Sequence, residues 1–401
     1  MLILVFNCGS SSLKFELLEF NPAARARGRT LARGEYQDIG HPASTRVLID
    51  ETGQKTIDEL AVRDHQAAAL DALAHLQATQ DKLDLAAVAH RVVHGGEHVR
   101  EPAVADEGVM RALEQASKFA PLHNPPALAT LRAVREKVPS ATTVVVTDTA
   151  FHATMPAHAR TYAIPRELSA KHGIRRFGFH GIGHAYMLER YAEVTGIAKE
   201  SLNLITIQLG AGCSVAAIEK GRSVETSMGL TPLEGLVMST RSGDIDPAIF
   251  GYLARNENMT VEQVEHMLNH RSGLLGISGL SDDMRDLLAA ARENPNSPAA
   301  LAISVFVHRT RKYLGAYLAV LGRVDGIVFG GGIGEHASEI RTNVCAGLET
   351  LGIKLDPCAN QAAQGSEAEI SAADARVKAY VIPLDEELYI ARAAARLIAA
   401  A

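Results

Sequence analysis

Cysteine is scarce in this chain. Four occur in 401 residues, Cys8, Cys213, Cys345 and Cys358, far apart and with no CxxC pair. That spacing argues against a structural zinc site and suits a reducing, cytoplasmic setting. A charge of one sign is missing too. Forty Lys and Arg against 46 Asp and Glu leave a formal charge of −6 and a pI near 6.2. Nothing global therefore draws the chain to nucleic acid or to an anionic membrane. An anionic ligand has to be met by a local cluster of Arg, Lys or helix N-termini. Long apolar runs are absent as well. The longest stretch free of Asp, Glu, Lys and Arg, residues 201–218, carries Asn203, Thr206, Gln208, Gly210 and Gly212, too polar and glycine-broken to span a membrane. The N-terminal apolar run has no basic flank and meets Asn7 and Gly9 almost at once, unlike a signal peptide. No Gly-Lys pair exists, so there is no Walker A loop, and neither HRD nor DFG occurs, so the protein-kinase set is missing.

What is present reads as an average globular protein, 47% apolar and 21% charged, of two or three domains. A chain this long buries enough surface to fold without disulfide or metal staples. Leu2 to Phe6 is a continuous apolar run, the pattern of a buried strand. Asn7-Cys8-Gly9-Ser10-Ser11-Ser12 closes it, and Leu13, Phe15 and Leu17 then alternate with Lys14 and Glu16 as a returning strand. Residues 204–218 repeat this design, with Gly210-Ala211-Gly212 as the turn. Gly9 and Gly210 stand half the chain apart, which points to a duplicated two-domain protein with a cleft between its halves. A third glycine loop, residues 330–335, follows the short strand 326–329 and opens a helix expected over 338–351. Val144 to Val146 is a strand ending on Thr147-Asp148-Thr149. Helical periodicity is clear in 64–79, 107–118, 125–137, 184–194, 260–270, 298–321 and 386–400. Strands alternating with helices give an α/β class.

Glycine-rich turns at strand ends bring backbone N–H groups close to a ligand, which suits phosphates. A dinucleotide fold is disfavoured, because the first two loops return as strands rather than opening helices. Histidines cluster in residues 90–98 and 177–184. Glycines interrupt both stretches and no Glu occupies a general-base position, so catalytic zinc fits poorly. A histidine donating to an anionic oxygen fits better, with Arg175 and Arg176 beside it. Residues 240–247 mix Arg241 with Asp244 and Asp246, either a salt-bridged turn or an anion site. Residues 121–126 read as a rigid helix entry with Pro in the first turn. Asp148 is a helix cap or a metal carboxylate. Asp385-Glu386-Glu387 suits the N-terminal dipole of the last helix.

Together these segments resemble the acetokinase family. Residues 7–14 resemble its first signature, and 227–236 through 241–244 its second, longer one. The blocks around Arg91, His123, Asp148, His180, residues 331–335 and Glu386 match in order, so the resemblance covers the whole chain. It implies two duplicated ribonuclease-H-like domains of the acetate and sugar kinase, heat-shock ATPase and actin superfamily. The expected domains are residues 1–151 with 386–401, and residues 152–385. It also implies reversible transfer of the ATP γ-phosphoryl to acetate, giving acetyl phosphate and ADP, with Mg²⁺ or Mn²⁺, in a cytoplasmic homodimer. By position Arg91 would bind the carboxylate, with His123 nearby, and Val93, Leu122 and Pro232 would hold the methyl group. Arg241 and His180 would meet the phosphoryl in flight, and Asp148 would be the catalytic carboxylate. Asn7 and Glu386 match magnesium-linked positions. Lys14, Gln208, Leu209, Gly210, Ala211, Gly212, Asp283, Met284, Arg285, Gly331, Gly332, Ile333, Gly334 and Glu335 match ATP contacts.

The chemistry makes sense of these residue types. A metaphosphate-like group in flight spreads negative charge over three oxygens, so catalysis is mostly positioning and cationic stabilisation. Acetate is already an anionic nucleophile and needs no general base, which gives Asp148 a metal-organising role. Several positions depart from the family pattern. Ala211 stands for the usual Asn, Ile182-Gly183 for Thr-Ser, Ser239 for Gly and Leu384 for Thr; none removes a charged group. A propionate or other short-chain carboxylate kinase is the nearest rival, since one methylene in such a pocket is worth only about 1–3 kcal/mol. A chaperone or filament ATPase of the same superfamily would need a peptide-binding domain or polymer surface, and no spare length exists for the former.

Overall fold

The apolar run at the N-terminus forms β1 (Leu2–Cys8), buried at every residue after the first. The computed structural model that shows this describes residues 1–20, 28–80 and 82–400. They divide into two units, Met1–Phe151 with Asp385–Ala401, and His152–Leu384.

In the first unit β1 returns antiparallel as β2 (Leu13–Glu19), with Asn7 opposite Lys14. The meander continues through β3 (Arg29–Gln37), β4 (Ser44–Asp50) and β5 (Lys55–Leu60). On its other side β1 pairs in parallel with β6 (Leu85–Val92), beyond which come β7 (Ala103–Val104) and β8 (Thr142–Thr147), giving the order β5-β4-β3-β2-β1-β6-β8-β7. A strand flanked on both sides must be apolar on both faces, as β1 is. The Asp64 side chain caps the helix His65–Thr79 by accepting from Ala67 N–H. The helix Asn124–Lys137 starts with Pro125 and Pro126 in its first turn, the rigid entry expected. The last helix, Glu386–Ala400, lies on β1, β6 and β8, and its alanines Ala391, Ala394 and Ala395 allow a close approach.

The second unit repeats the plan. Its strands β9 (Leu204–Leu209), β10 (Cys213–Glu219), β11 (Arg222–Thr226), β12 (Gly326–Gly330), β13 (Ala368–Glu369) and β14 (Lys378–Val381) are ordered β11-β10-β9-β12-β14-β13. β11-β10-β9 are antiparallel and β9, β12 and β14 parallel, as are β3-β2-β1 and β1, β6 and β8. The two sheets thus share one ribonuclease-H-like core, and the glycine loops after β1 and β9 are equivalent. The helices Gly181–Thr195 and Pro298–Leu321 pack on this second sheet.

Helix ends differ from the periodicity in places. Residues 338–351 are not one helix: Ser338–Cys345 ends, Gly347 turns left-handed at φ 75°, and a separate 3₁₀ turn spans Glu349–Leu351. The helix expected from 184 starts at Gly181, because His180 takes a left-handed conformation at φ 58° and turns the chain into it. The helix expected to 118 ends at Ala116 and tightens into a 3₁₀ turn. Among the described residues no helix is long and apolar enough to cross a membrane.

Candidate active site

In the first unit the register sets Asn7 of β1 beside Arg91 of β6, and Arg91 beside Val146 of β8, two residues before Asp148. Arg91 donates from Nε and Nη2 to the two Asp148 oxygens at 3.0 and 2.7 Å, a bidentate pair, and from Nη1 to Asn7 Oδ1 at 2.8 Å. Burial opposes the Arg91 charge, but Asp148 and Glu386 more than offset it and hold the guanidinium above its ordinary range. Each Asp148 oxygen thus accepts one hydrogen bond from Arg91 and keeps a second lone pair. Asn7 Nδ2 donates to Glu387 Oε1 at 2.9 Å and to Glu386 Oε2 at 3.3 Å. Asn7 and Glu386 are thus brought together, with the Asn7 carbonyl oxygen turned to Arg91. The carboxylates with metal-like spacing are instead Glu16, Asp385 and Glu387, whose oxygens lie within 4.8 Å of one another. Burial, and then the neighbouring Glu386, push the Glu387 carboxyl up. Glu16 was not foreseen, since it reads as one more polar residue of an alternating strand.

Lys14 is exposed on β2. Val93 is buried, whereas Leu122 is 64% exposed and forms no apolar wall within its unit. His123 precedes the helix Asn124–Lys137, and Asn124 ties that helix to the Val93-His94 turn through both the N–H and the carbonyl of His94.

In the second unit the turn after β9 carries the anion-binding features. A Cβ on Gly212 would come 3.2 Å from His180 Nε2 and 3.7 Å from Arg241 Nη1, so both groups face the glycine turn. Arg241 donates to the Pro232 carbonyl at 3.1 Å, and no carboxylate pairs with it among the described residues. Burial pulls its pKa down, the mark of a cation whose counter-charge is lacking. Neither nearby acid pairs with it. Asp244 accepts from Gly235 N–H and Tyr313 Oη and pairs with Arg309 at 3.6 Å, and Asp246 accepts from Ala248 N–H. The ion pair of residues 240–247 is thus made by Asp244 with a residue outside the segment, and Arg241 stands apart from it. Arg176, expected to make the histidine's surroundings cationic, is neutralised: it pairs with Glu234 and donates to the carbonyls of Thr226, Ser227 and Met228.

Beside this turn opens a cavity of about 830 Å³. Of the expected ATP contacts, Gly210, Ala211, Asp283, Met284, Arg285, Gly332 and Ile333 line it. Gln208, Leu209, Gly212, Gly331, Gly334 and Glu335 do not. The expected glycine loop after β12 winds at once into a short helix, Gly331–His336, because Gly331 turns the chain there. Glu335 braces this turn, accepting from Gly331 N–H at 2.8 Å and Leu384 N–H at 3.0 Å. Gly331 is left-handed at φ 77°, and a Cβ there would sit 2.6 Å from the Leu209 carbonyl oxygen, so only glycine fits. Asp283 caps the helix Met284–Glu293 and pairs with Arg285. Ser239, Arg292, His336 and Gln364 also line the cavity; scattered along the chain, they carried no local signal.

A model of the acetokinase family matches residues 2–392. The chain is 45% identical to the acetate kinase of Halothermothrix orenii, over 99% of this chain and all of that one. It is 46% identical to the acetate kinase of Clostridium botulinum, over 98% of both. Among solved structures, the acetate kinase of Porphyromonas gingivalis superposes with a TM-score of 0.91 at 38% identity, covering 99% of each chain. A propionate kinase from Francisella tularensis superposes at 0.89, also at 38% identity, covering 98% of each.

Proposed function

The chain belongs to the acetokinase family, and from that premise we propose that it transfers the γ-phosphoryl of ATP reversibly to acetate. Arg241 carries the reading: a half-buried cation with no carboxylate partner among the described residues, turned with His180 toward a glycine loop beside a nucleotide-sized cavity. An oxygen of acetate attacks the γ-phosphorus, the bond to the bridging β-oxygen breaks, and ADP leaves with that electron pair. No proton moves, because the nucleophile is already ionised. Arg241 and His180 supply fixed donors to the charge in flight. Arg91, held rigid by Asp148 and Asn7, takes the acetate carboxylate. Asp148 acts by orienting Arg91 rather than as a base.

The carboxylates of Glu16, Asp385 and Glu387, with Glu386 beside them, fit a hard divalent cation; burial first and Glu386 second raise the Glu387 carboxyl. Mg²⁺ bound there, with Mn²⁺ as a substitute, would neutralise nucleotide oxygens. A cytoplasmic homodimer completes the reading. The helix Ala248–Asn256 buries none of its residues although it carries Ile249, Phe250, Tyr252 and Leu253, which supports a protein contact on that face.

A second reading, propionate as the preferred acyl acceptor, is favoured by the similarity to the Francisella propionate kinase. A hydroxamate assay for acyl phosphate with ATP and a series of carboxylic acids tests both. Acetate is expected to give the highest kcat/KM. A higher value for propionate selects the second reading, and no acyl phosphate from any acid sinks both.

A further inference from the structure

The side of His180 turned away from Gly212 leads into a buried chain of polar groups. Ser214 Oγ lies 2.9 Å from His180 Nδ1 and 2.8 Å from His184 Nε2, and His184 Nδ1 lies 2.7 Å from Thr206 Oγ1. Ser214, His184 and Thr206 expose no surface. Burial drives the His184 pKa well below its ordinary value, so this ring is neutral. Each hydroxyl has one proton and each neutral imidazole one N–H, and the buried Ser214 proton needs an acceptor within the chain, which leaves two directions. In the first, Thr206 donates to His184 Nδ1, His184 Nε2–H donates to Ser214, and Ser214 donates to His180 Nδ1. In the second every bond is reversed. The Thr206 hydroxyl proton is then buried without an acceptor, since His184 is its sole hydrogen-bond partner among the described residues. Buried donors are rarely left so.

We infer that Ser214 and His184 are positioning residues that hold His180 as its Nε2–H tautomer, turning a donor toward the Gly212 and Arg241 side where the phosphoryl group would pass. The neighbouring histidine steadies the same wall. His152 Nε2 lies 3.1 Å from the Phe179 carbonyl oxygen, which can only accept, and its Nδ1 lies 2.8 Å from Ser223 Oγ. His152 therefore donates to the peptide just before His180, and its ring meets His184 edge-on at 5.6 Å. Two buried histidines and three hydroxyls thus serve one exposed ring edge. The catalytic consequence rests on the function proposed above; the tautomer does not.

Long-range ¹H–¹⁵N NMR on the full-length protein with ¹⁵N-labelled histidine tests the assignment, with the His180 signals identified by their loss in His180→Asn. The expected result is a proton on Nε2 and a bare Nδ1 at pH 7.5. Ser214→Ala should mix the tautomers and lower kcat by about 10- to 100-fold, the scale of one misdirected donor, with the KM values for ATP and acetate within about twofold. Ser214→Thr, which keeps the hydroxyl, should restore the Nε2–H form. A His180 proton on Nδ1 in the wild type overturns the inference, as does a Ser214→Ala variant with unchanged kcat. The NMR measurement needs no turnover, so a missing kinase activity would defeat the proposed function and leave the tautomer to be judged separately.

Discussion

Arg91 and Arg241 are both guanidinium groups removed from bulk water, yet their surroundings differ in kind. Arg91 is compensated three ways, by Asp148, Asn7 and the nearby Glu386, and so suits ground-state binding of a small carboxylate. Among the described residues Arg241 has only the Pro232 carbonyl and the Met238 sulfur as partners, and its charge is held at a cost. Such a group gains most when negative charge builds up before it. Arg241→Ala should therefore lower kcat by about 10²–10³ while the KM for ATP moves far less; steady-state kinetics checks this, and a loss confined to KM would make Arg241 a ground-state clamp. The departure at Ala211 supports a second prediction. Ala211 is exposed on the cavity and its carbonyl accepts from Ser239 N–H, so an Asn side chain there has room to reach a phosphate oxygen. Ala211→Asn should raise kcat/KM for ATP severalfold with unchanged acyl preference; an equal or slower variant means that the turn has been rebuilt around alanine. The charged residues were legible because a buried Arg or His on a glycine-flanked strand end has few structural uses. The coupling between Gly183 and Gln208 was not. A Cβ at Gly183 would lie 2.3 Å from Gln208 Oε1, a contact between residues far apart in the chain that neither residue betrays alone.

Elements declared themselves in proportion to how completely they are buried. β1, β9 and β12 are apolar almost throughout and stand out as runs. β5 is exposed at Lys55, Thr56, Ile57 and Glu59 and half-buried only at Asp58 and Leu60, so its sequence carries no apolar period, and the outer meander could not be foreseen. The half-length repeat was legible because both copies need the same strand, small-residue turn and returning strand. The split of residues 338–351 was hidden, since Gly347 can continue a helix or break it and only its neighbours decide. The loop after β12 is the element most exposed to a local test. Gly331 is left-handed with the Leu209 carbonyl where a side chain would go. Behind that loop Arg341 is buried and donates all five of its hydrogen bonds to Gly334, Glu335, Asn360 and Ala363. Gly331→Ala should cost about 2 kcal/mol or more, the left-handed penalty plus the clash, and should shrink the rise in Tm that ATP confers. Unchanged nucleotide stabilisation would show that the loop does not shape the ATP site.

At the scale of the whole molecule, one prediction concerns association. If the apolar helix Ala248–Asn256 meets a second copy, Tyr252→Glu should shift sedimentation from dimer to monomer, because Tyr252 is 62% exposed and a charge buried at an interface is expensive; a wild-type monomer ends that reading. The other concerns acid. Among the described residues burial lowers the pKa of four histidines: His90 to about 3, His152 to about 4, His184 well below its ordinary value, and His65. In the unfolded chain each regains a pKa of about 6.5. Between that value and the folded one the unfolded state binds more protons, so stability falls as pH falls through this window. The limiting slope is about 1.4 kcal/mol per pH unit for each histidine. Glu225 and Glu387, both raised by burial, act in the opposite sense near the carboxylate range, so the clean interval is just below pH 6.5. His90 belongs to the first unit, and both of its ring nitrogens are buried without a hydrogen-bond partner among the described residues, its ring stacked on Phe6 at 5.5 Å. His90→Leu keeps a side chain of similar bulk and removes two unsatisfied nitrogens together with the proton site. It should leave the protein as stable or more stable at pH 7.5, and it should remove one histidine's share of the acid loss between pH 6.5 and 5. Urea unfolding at several pH values measures both effects. If the variant loses stability as steeply as the wild type, the His90 ring is protonated in the folded state or reaches water, and the burial argument fails for it.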